Sequence, residues 1–130
     1  MFDWADYLTL AERMVALGQP DGAPEECRLR CAVGRAYYAA FGRARRFLTD
    51  LYGAGKVPAD KKVHEYVIGQ FRDDRHDDGR TWQAIGSDLE DLREARNHAD
   101  YGDESANWVK KCEESLLRAR RAIQRLQQLV

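Results

Sequence analysis

Proline is scarce in this 130-residue sequence, and no stretch alternates apolar and polar residues as a strand does. The three prolines stand at positions 20, 24 and 58. Because proline breaks helix interiors and strict alternation marks half-buried strands, both absences favour helices along most of the chain. We therefore predict an all-α fold, an up-and-down antiparallel bundle of four to five helices, in one domain that spans residues 1–130.

Long apolar runs are missing as well. Charged residues interrupt each apolar stretch within a few positions, so no segment approaches the roughly 20 residues that cross a bilayer. The first residues, Met1 to Trp4, have neither the basic start nor the apolar centre of a secretory signal. From these absences we expect a cytoplasmic protein that does not contact a membrane.

The charge balance shows no large excess of one sign. Lys and Arg total 21, Asp and Glu total 22, and the net charge is -1, which argues against a basic protein that coats nucleic acid. Positive residues do gather on one side of the last predicted helix, at Lys110, Lys111, Arg118, Arg120, Arg121 and Arg125. A solvated surface is the ordinary interpretation of such a face, and contact with nucleic acid is the alternative.

Cysteine is also scarce, and familiar cofactor motifs are absent. Cys27, Cys31 and Cys112 are an odd number of thiols in a chain without an export signal, so we expect no disulfide framework. Cys27 and Cys31 lie one helical turn apart on an apolar stripe, where we predict small core residues. No histidine has zinc-ligand spacing to them, and the sequence has neither a glycine-rich phosphate loop nor a His-Glu-x-x-His helix. We expect no metal and no cofactor.

Apolar residues recur at helical spacing in five segments. The predicted helices cover residues 3–17, 24–52, 61–71, 80–101 and a last stretch that ends near 129, with Asp103 or Ser105 as its cap. The second helix carries two adjacent apolar stripes, which is typical of a central helix with several neighbours. Gly34 and Gly42 interrupt it, and because glycine weakens a helix interior we expect each to have a packing reason.

The fourth predicted helix has an arginine in its apolar seam. The seam consists of Trp82, Ile85, Leu89, Leu92, Arg96 and Ala99. Arg96 therefore points inward or at a partner, and a buried guanidinium without hydrogen bonds costs several kcal/mol, so it needs a partner. Asp100 lies one turn later on the same face and is the obvious local one.

Two segments resemble a known family. Residues 30–41, Arg-Cys-Ala-Val-Gly-Arg-Ala-Tyr-Tyr-Ala-Ala-Phe, resemble the "SRAYYAAF" helix of HEPN domains (higher eukaryotes and prokaryotes nucleotide-binding). Residues 92–101 resemble the "LRxxRNxADY" segment of the same family, and the two motifs stand in the family order. The resemblance, with the helical regions around the motifs, covers most of the chain.

The resemblance implies a fold, partners and an activity. It implies a small up-and-down α-bundle, commonly a homodimer, from toxin–antitoxin, phage-defence or RNA-processing systems, and we expect a dimer through the second and fourth helices. The best-known members are metal-independent endoribonucleases whose site forms at the dimer interface from an Arg-x4-6-His motif. The implied partners are an RNA substrate and a nucleotidyltransferase-type antitoxin or larger effector protein.

The family motif maps onto the fourth helix residue by residue. Arg96 and Asn97 match its Arg-Asn pair, whereas Tyr101 stands where a histidine five positions after Arg96 would fall. Arg93 and His98 satisfy Arg-x4-His. The resemblance thus implies the catalytic candidates Arg93, Arg96, Asn97 and His98, and the substrate-binding or site-organising candidates Asp100, Tyr101, Tyr37 and Tyr38.

Three interpretations of this cluster remain open. In a ribonuclease, His98 would act as general acid/base on a ribose 2′-hydroxyl while an arginine stabilises the charged transition state. In a structural role, the Arg96–Asp100 pair would fix the helix against the tyrosines, and the Tyr101 hydroxyl would donate to a backbone carbonyl. In a non-catalytic role, the protein would be an interaction or nucleotide-binding module. Because positions 93 and 98 of a regular helix are roughly 140° apart, Arg93 and His98 meet only if the helix ends near Asn97 or a partner chain contributes.

Overall fold

The computed structural model describes residues 1–16, 24–73, 75–76, 78–104 and 106–129. Within these ranges the chain forms five α-helices and one short 3-10 helix, without a strand, and the predicted all-α bundle is confirmed. The helices are α1 (Asp6–Ala16), α2 (Glu25–Tyr52), α3 (Val63–Arg72), α4 (Gly79–Tyr101) and α5 (Trp108–Gln128), with the 3-10 helix at Ala54–Lys56. None of the described helices is both long and apolar enough to cross a membrane.

Helix α2 is the central element, as its two apolar stripes predict, and it packs against all the other α-helices. Its neighbour α1 runs antiparallel to it, because Asp3 pairs with Arg43 while Arg28 donates to the carbonyl oxygen of Met14. Helix α4 is also antiparallel to α2. Its first turn lies by the C-terminal half of α2, where the rings of Trp82 and Phe47 are 5.5 Å apart.

Helix α3 departs from this alternation. The ring of His64 lies 4.4 Å from that of Phe41, and the ring of Phe71 lies 6.0 Å from that of Phe47, so α3 runs in the same direction as α2. The connection 53–62 carries the chain back along the bundle between them. Gly86 lets α4 come close to the end of α3, because a Cβ at this position would lie 3.0 Å from the backbone nitrogen of Arg72.

The buried side chains form one core. The largest of those that are fully buried are Tyr37, Phe71, Leu48, Ile85, Leu89 and Leu92. In the predicted α4 seam, Trp82, Ile85, Leu89, Leu92 and Ala99 are buried. Arg96 is partly buried, with 21% of its side chain exposed. The apolar pattern of α4 therefore predicts its inward face correctly.

The prediction that Cys27 and Cys31 belong to the core is wrong. Both thiols are exposed, whereas Cys112 of α5 is buried. The inward direction at the start of α2 is taken by Arg28 and Leu29, which are 8% and 5% exposed. Because successive helix residues are turned by roughly 100°, burying this pair turns both cysteines outward.

The predicted cap of the last helix is also wrong. Asn107 precedes α5, and its side-chain oxygen accepts a hydrogen bond of 3.1 Å from the backbone nitrogen of Lys110. Asp103 lies four residues before that cap, and Ser105 lies outside the described residues. The predicted end of the first helix at Leu17 lies outside them as well, and α1 begins at Asp6 rather than at Asp3. Helix α3 begins at Val63, two residues after its predicted start.

Arg30 of α2 fixes the end of α4. Its guanidinium donates to the carbonyl oxygens of Ala99 at 3.2 Å and of Gly102 at 2.6 Å. The same guanidinium lies 4.5 Å from the ring centre of Trp108 at the start of α5. A cation at a helix C-terminus binds carbonyls that have no partner within the helix. Arg30 therefore holds the ends of α2, α4 and α5 together, and α4 stays helical to Tyr101.

The positive side of α5 is largely paired within the molecule. Both carboxylate oxygens of Asp88 accept from α5 arginines, Arg121 at 3.1 Å and Arg125 at 2.9 Å. Arg120 pairs with Glu12 of α1 at 3.2 Å, and Arg118 lies 3.6 Å from Asp91. These pairs compensate four of the six positive residues, which favours the solvated interpretation over a surface for nucleic acid.

Candidate functional site

The predicted partner of Arg96 is confirmed. Its Nε lies 2.8 Å from Oδ2 of Asp100, four residues later on α4. Its NH1 also donates to the side-chain oxygen of Asn97 at 3.2 Å. The guanidinium that interrupts the apolar seam thus has two polar partners on its own helix.

Two aromatic rings lie close to the Arg96 guanidinium. Its Cζ lies 5.4 Å from the ring centre of Tyr38 and 5.7 Å from that of Tyr101, within the range of cation–π contacts. Tyr101 is 74% exposed, and its hydroxyl has no hydrogen bond to any described residue, so the predicted bond to a backbone carbonyl is not formed. Tyr101 instead presents an exposed aromatic face next to a guanidinium.

His98 lies on a different face of α4. Its ring is 4.9 Å from that of Trp108 and faces α5, beside a groove of about 360 Å³ between the two helices. That groove is lined by Asp91, Glu94, Ala95, His98, Lys111, Glu114 and Arg118. Because α4 continues as a regular helix beyond His98, the angle between positions 93 and 98 keeps Arg93 and His98 apart. Within one chain, the structure does not assemble the Arg-x4-His pair.

A different histidine lies close to the predicted arginines. His64 of α3 stacks on Phe41, with the ring planes inclined by 15°, and its Nδ1 lies 2.5 Å from the hydroxyl oxygen of Tyr37. Tyr37 is fully buried, which fixes the position of that hydroxyl. We call Tyr37, Tyr38, His64, Arg93 and Arg96 the His64 site.

The charges of α4 act directly on the imidazole. Burial lowers the pKa of His64 below its ordinary value, and the positive charges of Arg93, Arg96 and Arg45 lower it further. His64 is therefore neutral at pH 7 and has a nitrogen that can accept a proton. Burial raises the pKa of Tyr37 above its ordinary value, so the hydroxyl next to the imidazole stays protonated.

Arg93 is the positive group of this site that lacks a polar partner within the described part of the chain. Among the residues that the structure describes, none forms a hydrogen bond or ion pair with it, although its charge reaches both Tyr37 and His64. Glu90, one turn earlier, pairs with Arg72 at 3.4 Å. A partly buried guanidinium without a carboxylate is a suitable group to bind a phosphate in a bidentate manner.

The His64 site offers positive charge, a neutral imidazole and aromatic surface in one place. These groups suit a ligand that carries a negative charge and has a hydroxyl group that can be deprotonated. In the described ranges no three His, Cys, Asp or Glu side chains are arranged to hold a metal ion. In general, guanidiniums can bind a phosphate, and a neutral imidazole can accept a proton.

His64 was not among the predicted site residues, although the sequence contains a signal for it. His64, Val67, Ile68 and Phe71 share one face of α3, so a histidine stands on a stripe that is otherwise apolar. The same kind of irregularity identifies Arg96 on α4. An inward polar residue on each of two neighbouring helices is the pattern that could have found this site.

Comparison with known proteins gives no match: no family model, no curated protein and no solved structure is similar to this chain. Function must therefore be inferred from the two motifs and from the geometry of the His64 site. Tyr37, Tyr38, Arg93 and Arg96 belong to the motifs, and His64 lies outside both of them.

Proposed function

We propose that the chain is a HEPN-type protein of a prokaryotic defence or toxin–antitoxin module that binds RNA at the His64 site and cleaves it without a metal. The observation that carries the proposal is Arg93, a guanidinium beside Arg96 and a neutral imidazole, for which the described residues provide no carboxylate partner. The two motifs support the family, and the site supports the activity.

RNA is the substrate class that this set of groups suits. A backbone phosphate supplies the anion for the two guanidiniums, and the adjacent 2′-hydroxyl supplies both the proton and the attacking oxygen. The exposed ring of Tyr101 gives an unpaired base a surface for stacking, which is how proteins commonly hold single-stranded RNA. Asn97 stands on the same turn of α4 and can donate its amide to the phosphate or the base.

We further propose a homodimer through α2 and α4. Cys27, Cys31 and the ring of Tyr101 are exposed at the end of the bundle where these two helices meet. A second copy that covers this surface would bury the exposed ring of Tyr101 together with both thiols.

A non-catalytic interaction module is the second candidate, and the position of His98 favours it. The Arg93–His98 pair is not assembled in a single chain. The motif residues can then serve folding and binding without taking part in catalysis. The partner would then be a nucleotidyltransferase-type antitoxin or a larger effector protein, and the His64 site would bind a nucleotide without cleaving it.

One assay separates the two candidates. The purified protein is incubated with a structured RNA in excess chelator, in parallel with the variants Arg93→Gln and Arg120→Gln. We expect cleavage by the wild type and by Arg120→Gln, whose arginine is exposed and pairs with Glu12 far from the site. Loss of one guanidinium at the site should lower the rate by about 10²-fold or more, as for other groups that stabilise transition-state charge. A wild type that binds the RNA and leaves it intact would favour the interaction module.

Light scattering at micromolar concentration tests the dimer.

A further inference from the structure

The three histidines of the chain have different surroundings. His76 stacks on Trp82 at 3.6 Å, and its Nε2 lies 3.1 Å from the backbone oxygen of Gln70. His98 lies against Trp108 on the α5 side of the bundle. The ring of Tyr38 lies 6.2 Å from that of His64 and 5.4 Å from Cζ of Arg96, so His64 is the histidine that shares a neighbour with this arginine.

The groove beside His98 is less suited to an anion. Three carboxylates, those of Asp91, Glu94 and Glu114, line it together with Lys111 and Arg118. Arg118 is paired there, at 3.6 Å from Asp91 and 3.7 Å from Glu114. This leaves more negative than positive charge around the imidazole, which repels a backbone phosphate.

Tyr37 orients the imidazole of His64. The hydroxyl oxygen lies 2.5 Å from Nδ1, and stacking on Phe41 fixes the plane of the ring. When Nδ1–H donates to the Tyr37 oxygen, the lone pair of Nε2 on the opposite edge is free to accept a proton. Since Tyr37 is fully buried, this hydrogen bond is shielded from water.

We infer that His64 is the general base of RNA cleavage and that Tyr37 is its positioning residue. The inference rests on the proposed function. In the reaction, Nε2 of His64 takes the proton of a ribose 2′-hydroxyl, and the 2′-oxygen forms a bond to phosphorus. The bond from phosphorus to the 5′-oxygen breaks, and that oxygen takes a proton from water. The products are a 2′,3′-cyclic phosphate and a 5′-hydroxyl end, and His64 then returns its proton to solvent.

The charges that face the imidazole agree with this role. Burial lowers its pKa, Arg93 and Arg96 of α4 and Arg45 of α2 lower it further, and Tyr37 and Tyr38 of α2 are its aromatic neighbours. A bound phosphate would offset part of that positive charge and so make the imidazole a stronger base when substrate is present.

The test compares three matched histidine substitutions in the chelator assay. His64→Gln should lower the cleavage rate by about 10²- to 10⁴-fold, the usual contribution of a general base, while His76→Gln should leave it unchanged. Circular dichroism and thermal melting show whether each variant is folded. If His98→Gln abolishes cleavage and His64→Gln retains it, the inference is overturned and the proposed function stands. If the wild type does not cleave, both are overturned.

A second measurement uses the wild type and does not depend on a variant that folds. The rate should rise with pH through one ionisation below pH 6.5, and that ionisation should coincide with the titration of the His64 ring followed by NMR. Tyr37→Phe should displace this ionisation in both the rate profile and the NMR titration, which a purely structural role would not do. A pH profile that follows the titration of His98 instead would overturn the inference.

Discussion

Two glycines of α2 should respond in opposite ways to the same substitution. Gly34 and Gly42 are both buried in the interior of one helix, where replacing glycine by alanine gains about 0.5–1 kcal/mol from helix propensity alone. At Gly34 a Cβ would meet no atom within 4 Å, so the expected packing reason is not found there. Gly34→Ala should therefore stabilise the protein by about that amount and raise Tm by about 2 to 5 °C.

At Gly42 the packing reason is present. A Cβ would lie 2.2 Å from Cδ2 and 2.3 Å from Cγ of Trp4, so the indole must move. That ring lies 5.1 Å from both the Arg45 guanidinium and the ring of Phe2, contacts that the movement would disturb. Overpacking of this kind costs about 1–3 kcal/mol and outweighs the gain in propensity. Gly42→Ala should lower the free energy of unfolding by about 1 to 2 kcal/mol.

Urea unfolding followed by circular dichroism measures both effects. The decisive control is the background Trp4→Ala, in which Gly42→Ala should become stabilising because the clash is gone. Equal stabilisation by Gly34→Ala and Gly42→Ala in the wild-type background would refute the packing of Trp4 on α2 and, with it, the antiparallel docking of α1.

Three further outcomes follow from the charged groups. Asp88→Asn should destabilise the protein by about 1–3 kcal/mol in urea unfolding, because it weakens two charge-assisted hydrogen bonds to a carboxylate that is 7% exposed. Arg93→Gln should raise the pKa of His64 in an NMR titration, since the charge of Arg93 lowers it. The pKa of folded His64 lies below its unfolded value of 6.5, so the unfolded chain binds this proton first. The free energy of unfolding should thus fall as pH decreases below 6.5, and His64→Gln should lack this component.

The bundle could be predicted from the sequence because its helices are long and strongly periodic. The span of α2 and the inward face of α4 follow from apolar spacing and from Pro24 and Gly53 at the ends of α2. The cysteines of α2 could not be placed in this way. Their burial depends on the rotation of the helix by a fraction of a turn, which Arg28 decides by donating to the end of α1. The spacing of apolar residues along one helix gives no information about a contact with another helix.

The site was predicted only in part, because contacts within one helix can be predicted from spacing and contacts between helices cannot. The Arg96–Asp100 pair is local to α4, and its spacing of four residues is sufficient to find it. The contact between His64 and Tyr37 joins residues 27 positions apart on two helices. It depends on α3 running in the same direction as α2, whereas a simple alternation of directions would turn α3 the other way.

The His64 site is complete only when helix α3 is packed on the rest of the bundle. His64 is carried by a helix of 10 residues that packs mainly on α4, while the tyrosines and arginines belong to the long central helices. A helix of this length is not stable by itself in water, so it forms only where α4 holds it. Local opening of α3 would remove the imidazole and leave the arginines in place. The fraction of molecules with a complete His64 site is then set by the free energy of this local opening. The free energy of global unfolding does not set it.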